Sequence, residues 1–391
     1  MTDALAVAPA PAARRGTGTA VVTGAAAASA YGRGTEALVS GMLSGQPAFA
    51  PVERFDVSTR RVRFAATMPG LPDLLTEVTR AAAEACDDAG LSSADRARTP
   101  LFLAIHGDPA IARAPDAAMP GLGPEPFTAA VANGCGLAEQ DIRCYTSACV
   151  AASTAIGDAA SIIARGHADR VVVAGGYLVE SDQFALFDAG RVLADDGQVR
   201  PFSAGRRGLL LGDGVGAVVV ESLQAARARR APPLARLAGW GRTGDAYHPV
   251  QPHPEGHGMA RAVTAALERA GIAAGHLGYV NAHGSGTGHS DPAETNALRL
   301  ALGEAVGCVP VSSTKSLHGQ SLEASGVLEL IVTMLAARNG RLPVNAGFLG
   351  ADDRCRLNLV LGEPLAATAE FAMSLNAAFG GANTALVVGL P

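Results

Sequence analysis

The sequence has almost no lysine. Of its 31 basic residues only Lys315 carries an ammonium, and the rest are arginine. A composition that avoids lysine elsewhere keeps this one for something a guanidinium cannot do. An ammonium is a compact point charge that sheds its proton when buried, whereas arginine stays charged and demands a planar fork of acceptors. Aromatic residues are also scarce, at 4% against 48% hydrophobic residues overall, so the interior must be built from small aliphatic side chains. No run of 18 apolar residues exists, which excludes a membrane-spanning helix. The cysteines Cys86, Cys135, Cys144, Cys149, Cys308 and Cys355 show neither CxxC spacing nor a disulfide-scaffold pattern, so a reducing compartment is expected. A basic excess is missing too: a net charge of -5 and a pI near 6.0 argue against a nucleic-acid partner. Residues 1–16 place their basic pair after the apolar stretch, the reverse of a secretory signal. They are expected to form a disordered tail on a cytoplasmic protein.

What is present is an alternation of strand-like and helix-like runs, the pattern of an α/β protein with covered sheets. The first series offers strands at 20–24, 101–106, 170–174 and 214–221, with helices at 36–44, 71–89, 149–166 and 181–188. Pro232-Pro233 then punctuates the chain. A second, similar series places strands at 234–240, 278–282, 309–312, 372–376 and 384–388, with helices at 259–270, 292–302 and 319–339. The repeated pattern predicts two halves of common origin, 17–232 and 233–391.

Three short segments carry the chemistry: Ser147-Ala148-Cys149, the loop Asn281 to Thr287, and Ser313 to Gln320. They supply a thiol, an imidazole and an ammonium, the groups needed to form and handle an acyl thioester. Cys149 opens a helical apolar pattern, and a thiol at a helix N-terminus is expected to have its pKa lowered toward neutrality. Small neighbours (Ala148, Ala151, Ala152) leave room for an acyl chain. His283 follows a strand end and begins a Gly/Ser/Thr loop, so its Nε2–H is placed to donate to a developing oxyanion. Ser285 and Thr287 offer hydroxyls to an amide-bearing arm. Asp291 and Glu294 read either as first-turn acids of the next helix or, for Glu294, as a partner for Lys315. Taken singly, each residue has a plain structural reading; a lone buried cysteine is common. His248, His253 and His257 suggest a metal cluster, but the prolines and glycine between them argue that no helix aligns them, and no metal is expected.

Read together, the landmarks resemble the β-ketoacyl-acyl carrier protein synthases (ketosynthases) of stand-alone, type II style. They run from Val21-Val22-Thr23-Gly24 through Thr146-Ser147-Ala148-Cys149, Arg200-Pro201-Phe202 and Gly212-Asp213-Gly214-Val215-Gly216. They continue through Asp245-Ala246-Tyr247-His248, Pro252-His253-Pro254-Glu255-Gly256, the His283 loop, Ser313-Thr314-Lys315-Ser316 and Phe379-Gly380-Gly381-Ala382-Asn383. The resemblance spans residues 17–391. It implies a thiolase fold, an α/β protein of five layers (αβαβα) built from two duplicated halves. It further implies that Cys149 takes an acyl group from a carrier-protein thioester, and that His283 and Lys315 are the active-site histidine and lysine. Backbone N–H groups of Cys149 and Phe379 would form the oxyanion hole, with Phe379 gating the pocket. Ser285, Thr287, His318 and Ala378 would line the phosphopantetheine arm or its pocket. No cofactor is implied, since the substrate is carried on phosphopantetheine; the partners implied are an acyl carrier protein and a second subunit, as homodimer or heterodimer.

One departure matters most. Where the resemblance predicts a second histidine, this chain has Gln320, which can donate a hydrogen bond but carries no charge. Asn376 replaces a small hydroxyl, Ala377-Ala378 replace a glycine–phenylalanine pair, and Gly205-Arg206-Arg207-Gly208 lacks an acid. These changes favour C–C bond formation of a specialised, polyketide kind, without decarboxylation, by aldol or lactone closure of the bound chain. The alternatives are ordinary decarboxylative condensation with Gln320 tolerated, acyl transfer to an alcohol or amine, and a non-catalytic chain-length partner, against which the presence of Cys149 argues.

Overall fold

The computed structural model describes residues 18–109 and 123–391; the tail expected at residues 1–16 lies outside them. Ten strands form the body of the sheet, five from each half. The first five are β1 (Ala20–Ser29), β2 (Leu101–Ala104), β3 (Arg143–Tyr145), β4 (Arg170–Tyr177) and β5 (Gly214–Ser222). The second five are β6 (Ala235–Gly244), β7 (Leu277–Asn281), β8 (Val311–Ser312), β9 (Phe371–Ala377) and β10 (Ala382–Gly389). Their lateral order is β8-β7-β9-β10-β6-β1-β5-β4-β2-β3, with a short strand, Gly32–Arg33, added on β1.

That order contains a repeat. Moving five strands along the chain converts β3-β2-β4-β5-β1 into β8-β7-β9-β10-β6. Orientation repeats too: β2 is parallel to β3 and β4, with β4–β5 and β5–β1 antiparallel, and the second half copies each relation. The halves join where β1 meets β6 over three pairs, Ala20↔Leu237, Val21↔Arg236 and Val22↔Ala235.

Helices cover both faces of each half. α1 (Leu74–Asp88), capped by the Asp73 carboxylate accepting from Thr76 N–H, lies with α2 (Pro124–Gly134) against the first five strands. α4 (His257–Ala270) and α5 (Ser290–Leu302) cover the second five. Between the halves run α3 (Ala151–Ala164) and α6 (Ser325–Asn339), packed on each other. Both central helices lie between the two five-strand halves and are largely enclosed; every residue of α6 from Ser325 through Met334 is buried. The result is the expected five-layer α/β arrangement. Strand β3, α2 and a short helix at Leu223–Ala228 escaped the sequence reading.

Small residues set the layer spacing. A Cβ on Gly326 of α6 would lie 2.5 Å from the Ser153 backbone nitrogen of α3. A Cβ on Gly241 of β6 would lie 1.9 Å from the Ala262 carbonyl of α4. Where the sequence suggests one helix from Gly319, the structure has instead a bridge from Gln320 to Leu211, a 3₁₀ turn at Leu322–Ala324, and only then α6. Gly326→Ala is therefore expected to cost about 1–3 kcal/mol by overpacking. Gly275→Ala, where nothing lies within 4 Å, should be near neutral in the same thermal or urea denaturation.

Candidate active site

Cys149 stands in a 3₁₀ turn, Ala148–Val150, between β3 and α3, so the single helix expected from Cys149 begins only at Ala151. Ala148, which precedes it, holds a positive φ of 51°, the left-handed region that costs a residue with a Cβ. The sulfur is buried, in an apolar cluster that includes Tyr177, Val179, Leu209, Leu211, Leu322 and Ala324. Burial pushes the Cys149 thiol up to about 12, and the nearby Glu323 carboxylate adds to the rise; the Gln320 amide hydrogen-bonding the sulfur and the charge of Lys315 pull the other way. Burial thus works against the thiolate that a helix start by itself would favour. Loss of hydration outweighs the field of a helix that begins one turn later.

His283 follows β7 and is also buried. Its Nδ1 accepts the Ala377 N–H at 3.1 Å, which puts the ring proton on Nε2. Burial and the Lys315 charge hold its pKa well below the ordinary value, so the ring is a neutral donor. Glu294 fixes the loop backbone: its two oxygens accept the His283 and Gly284 N–H groups at 2.7 Å each. Burial pushes this carboxyl up to about 8 against those N–H donors.

Lys315 does not pair with Glu294. Its Nζ lies 2.5 Å from Glu329 Oε1, with both side chains all but sealed from solvent. Glu329, on α6, was not foreseen. Its other oxygen accepts from Asn376 Nδ2 at 2.7 Å, so the unusual amide at 376 is explained as the second support of this carboxylate. Burial pushes Glu329 up, and Lys315 and Asn376 bring it back toward ionisation. Asn281 ties the histidine strand to the same group: Oδ1 accepts from Thr314 N–H at 3.3 Å and Nδ2 donates to the Glu329 carbonyl at 3.4 Å.

Other expected residues fall at different distances from this centre. Gln320 is buried and reaches Cys149. His318 does not: it is fully enclosed, its Nε2 engages Thr314 Oγ1 at 3.3 Å, and burial lowers it to about 3, so it is a neutral wall residue rather than an arm-binding one. Ser285 and Thr287 share a hydrogen bond of 3.2 Å in the loop after His283. Arg206, in the segment without an acid, donates to the Thr287 carbonyl and pairs with Asp352, bracing that loop from outside. Ala378 packs on the apolar cluster around Cys149. Phe379 is half-exposed, stacks on Phe187 with ring centroids 6.0 Å apart, and its N–H makes no backbone hydrogen bond. Away from the centre, His253, Glu255 and His257 bring their ligand atoms within 4.8 Å of one another, a convergence that the prolines and glycine were expected to prevent. No helix is needed, because the loop folds back on the start of α4. His248 does not join them; its Nδ1 accepts two backbone N–H groups.

A duplicated five-layer α/β body that buries a cysteine, a neutral histidine and a paired lysine together is the architecture of the thiolase-fold ketosynthases. Residues 77–226 match the family model of the β-ketoacyl synthase N-terminal domain, and residues 234–349 that of its C-terminal domain. The 3-oxoacyl-[acyl-carrier-protein] synthase 2 of Coxiella burnetii is 32% identical over 94% of this chain and 97% of its own length. The enzyme of the same name from Staphylococcus aureus is 38% identical over 62% of this chain, a stretch that spans 61% of the relative. Among solved structures, the ishigamide ketosynthase/chain length factor superposes with a TM-score of 0.87 at 28% identity, covering 96% of this chain and 100% of that one. This chain belongs to the β-ketoacyl synthase family.

Two measurements check the site. Site-resolved alkylation of Cys149 by iodoacetamide should keep accelerating above pH 9, as burial of the thiol requires; a plateau near pH 7 would mean a stabilised thiolate. Lys315→Ala leaves Glu329 buried without its cation and is expected to cost about 3–5 kcal/mol. Adding Glu329→Leu should recover much of that loss in the same urea titration.

Proposed function

We propose that the protein is a ketosynthase that takes an acyl group from an acyl carrier protein onto Cys149 and joins it to a second carbon unit. The observation that carries this reading is the buried thiol hydrogen-bonded by the Gln320 amide, with the paired Lys315 acting on both that thiol and the neutral His283 ring, whose proton is on Nε2. In the loading step Cys149 sulfur attacks the carrier thioester; the proton it loses passes to the departing pantetheine thiolate, so the exchange balances without a separate base. N–H groups of Cys149 and Phe379 receive the oxyanion, with Ser285 and Thr287 along the arm. Homodimer formation is part of the proposal: β3 is an edge strand whose outer side has no partner among the described residues, whereas the opposite edge, β8, is covered by Asn358–Val360.

Geometry changes the weight given to Gln320. A ring as buried as His283 is neutral and works as a hydrogen-bond donor, and an amide can do the same. The substitution therefore removes proton transfer but not donation, and an enolate formed by loss of CO₂ from a malonyl unit still meets two donors. We favour condensation with Gln320 as a donor over closure of the bound chain. The names of the two synthase relatives support chain extension, while the ishigamide neighbour and the changes at Gln320 and Asn376 support a specialised substrate. The test is the mass of the products when acyl-loaded enzyme meets malonyl-carrier protein. A carrier-bound chain two carbons longer, absent with Cys149→Ala, is expected; an acyl-Cys149 adduct that persists, or leaves without that gain, would instead establish cyclisation or transfer.

A further inference from the structure

The apolar wall around Cys149 contains a polar pair that the steps above do not use. Glu323 lies in the 3₁₀ turn that packs against the Cys149 turn, between Leu322 and Ala324 of the same cluster. It is buried, and His106 Nδ1 holds only one of its oxygens, Oε1, at 3.1 Å. Oε2 is buried with no hydrogen-bond partner among the described residues. Tyr177, at the end of β4, enters the same cluster, and its hydroxyl is likewise buried and unpartnered. Such groups are rarely left unmatched in a folded protein, and here two lie at one apolar cluster. Burial first, then the Asp213 and Glu323 charges, raise the Tyr177 hydroxyl, and Glu323 also adds to the rise of the Cys149 thiol, so the carboxylate lies within electrostatic reach of both. Leu322, just before Glu323, holds a φ of 38°, matching the strained Ala148 on the other side of the contact. Backbone strain of this kind persists where a side chain must be aimed.

We infer that Glu323 Oε2 and Tyr177 Oη form a recognition pair for a hydroxyl on the acyl chain carried by Cys149, so that the substrate class is a hydroxyacyl thioester. The inference rests on the acyl-Cys149 reading above. A hydroxyl fits because it donates to the carboxylate and accepts from the phenol at once. A plain alkyl chain would leave both groups desolvated and unpaired, and sites built to hydrogen-bond a hydroxyl reject the analogue that lacks it. His106 already engages the other carboxylate oxygen, so one neutral donor suffices to complete the group.

The experiment loads the full-length protein from pantetheine thioesters of octanoate and of 3-, 5- and 7-hydroxyoctanoate, and follows the Cys149 adduct by intact mass. At least one hydroxylated chain is expected to load ten-fold or more faster than octanoate. In Tyr177→Phe, which keeps the ring, and in Glu323→Leu, the ratio should fall toward one as the hydroxylated chain slows. Equal loading of all four chains overturns the inference and leaves the acyl-cysteine reading standing, as does a preference that survives both substitutions. Loading of none of them onto Cys149 overturns both.

Discussion

A single buried ammonium organises the centre of this protein. Lys315 is among the largest fully buried side chains, and a charge in that position has to be answered locally. Glu329 answers it from α6, Asn376 answers Glu329 from β9, and Asn281, at the end of β7, donates to the Glu329 backbone carbonyl. Three elements of the second half are thereby locked around one point. The same charge fixes protonation around it: together with burial it keeps His283 and His318 neutral, and it counteracts the desolvation of Cys149. Arginine would not do this work, since a planar fork needs more acceptors than Glu329 and its neighbours supply.

Neutrality is what makes the site a set of donors rather than of acids and bases. His283 cannot take a proton at Nδ1, because that nitrogen already accepts from Ala377, and Nε2 already carries one. Its contribution is a fixed N–H aimed into a dry space, where a hydrogen bond to developing charge is worth more than in water. Gln320 fits that logic without charge. A preorganised donor needs its backbone held, and Glu294 does so by gripping two consecutive N–H groups of the loop.

Much of the fold was legible from pattern alone, because β1, β4 and β5 are long apolar runs and α1 and α4 carry a clear apolar face. Strand β3 was not, being three residues of mixed polarity that form only by pairing with β2. Cys149, His283 and Lys315 were legible as residue types in short segments. Their partners were harder, since burial decides them and burial is a property of the packed layers. Glu329 did leave a signal: a lone carboxylate inside Ser325-Gly326-Val327-Leu328-Glu329-Leu330-Ile331-Val332 needs a cation, and the chain has one free lysine to offer. Assigning that cation to Glu294 failed because Glu294, one turn into α5, was already committed to the loop before it. For the thiol, sequence shows a helix start, but only packing shows how little water reaches the sulfur.

The duplication explains why these groups meet at all. Cys149 lies in the connection from β3 into α3, and Lys315, Gln320 and Glu323 lie in the equivalent connection from β8 into α6. Packing α3 against α6 back to back brings the two connections together, so the repeat by itself creates one central site from two equivalent places. Close approach there depends on side chains as small as Ser153 and Gly326, and the turns that enter it are strained at Ala148 and Leu322, one in each half. Equivalent position has then been put to unequal use. The first half supplies Cys149 on a short turn, while the second spends the nine residues between β8 and the 3₁₀ turn's Leu322 on a cation and a donor. That longer connection is where a ketosynthase can change its chemistry without disturbing its layers, and it is where this chain departs most from the pattern it otherwise follows.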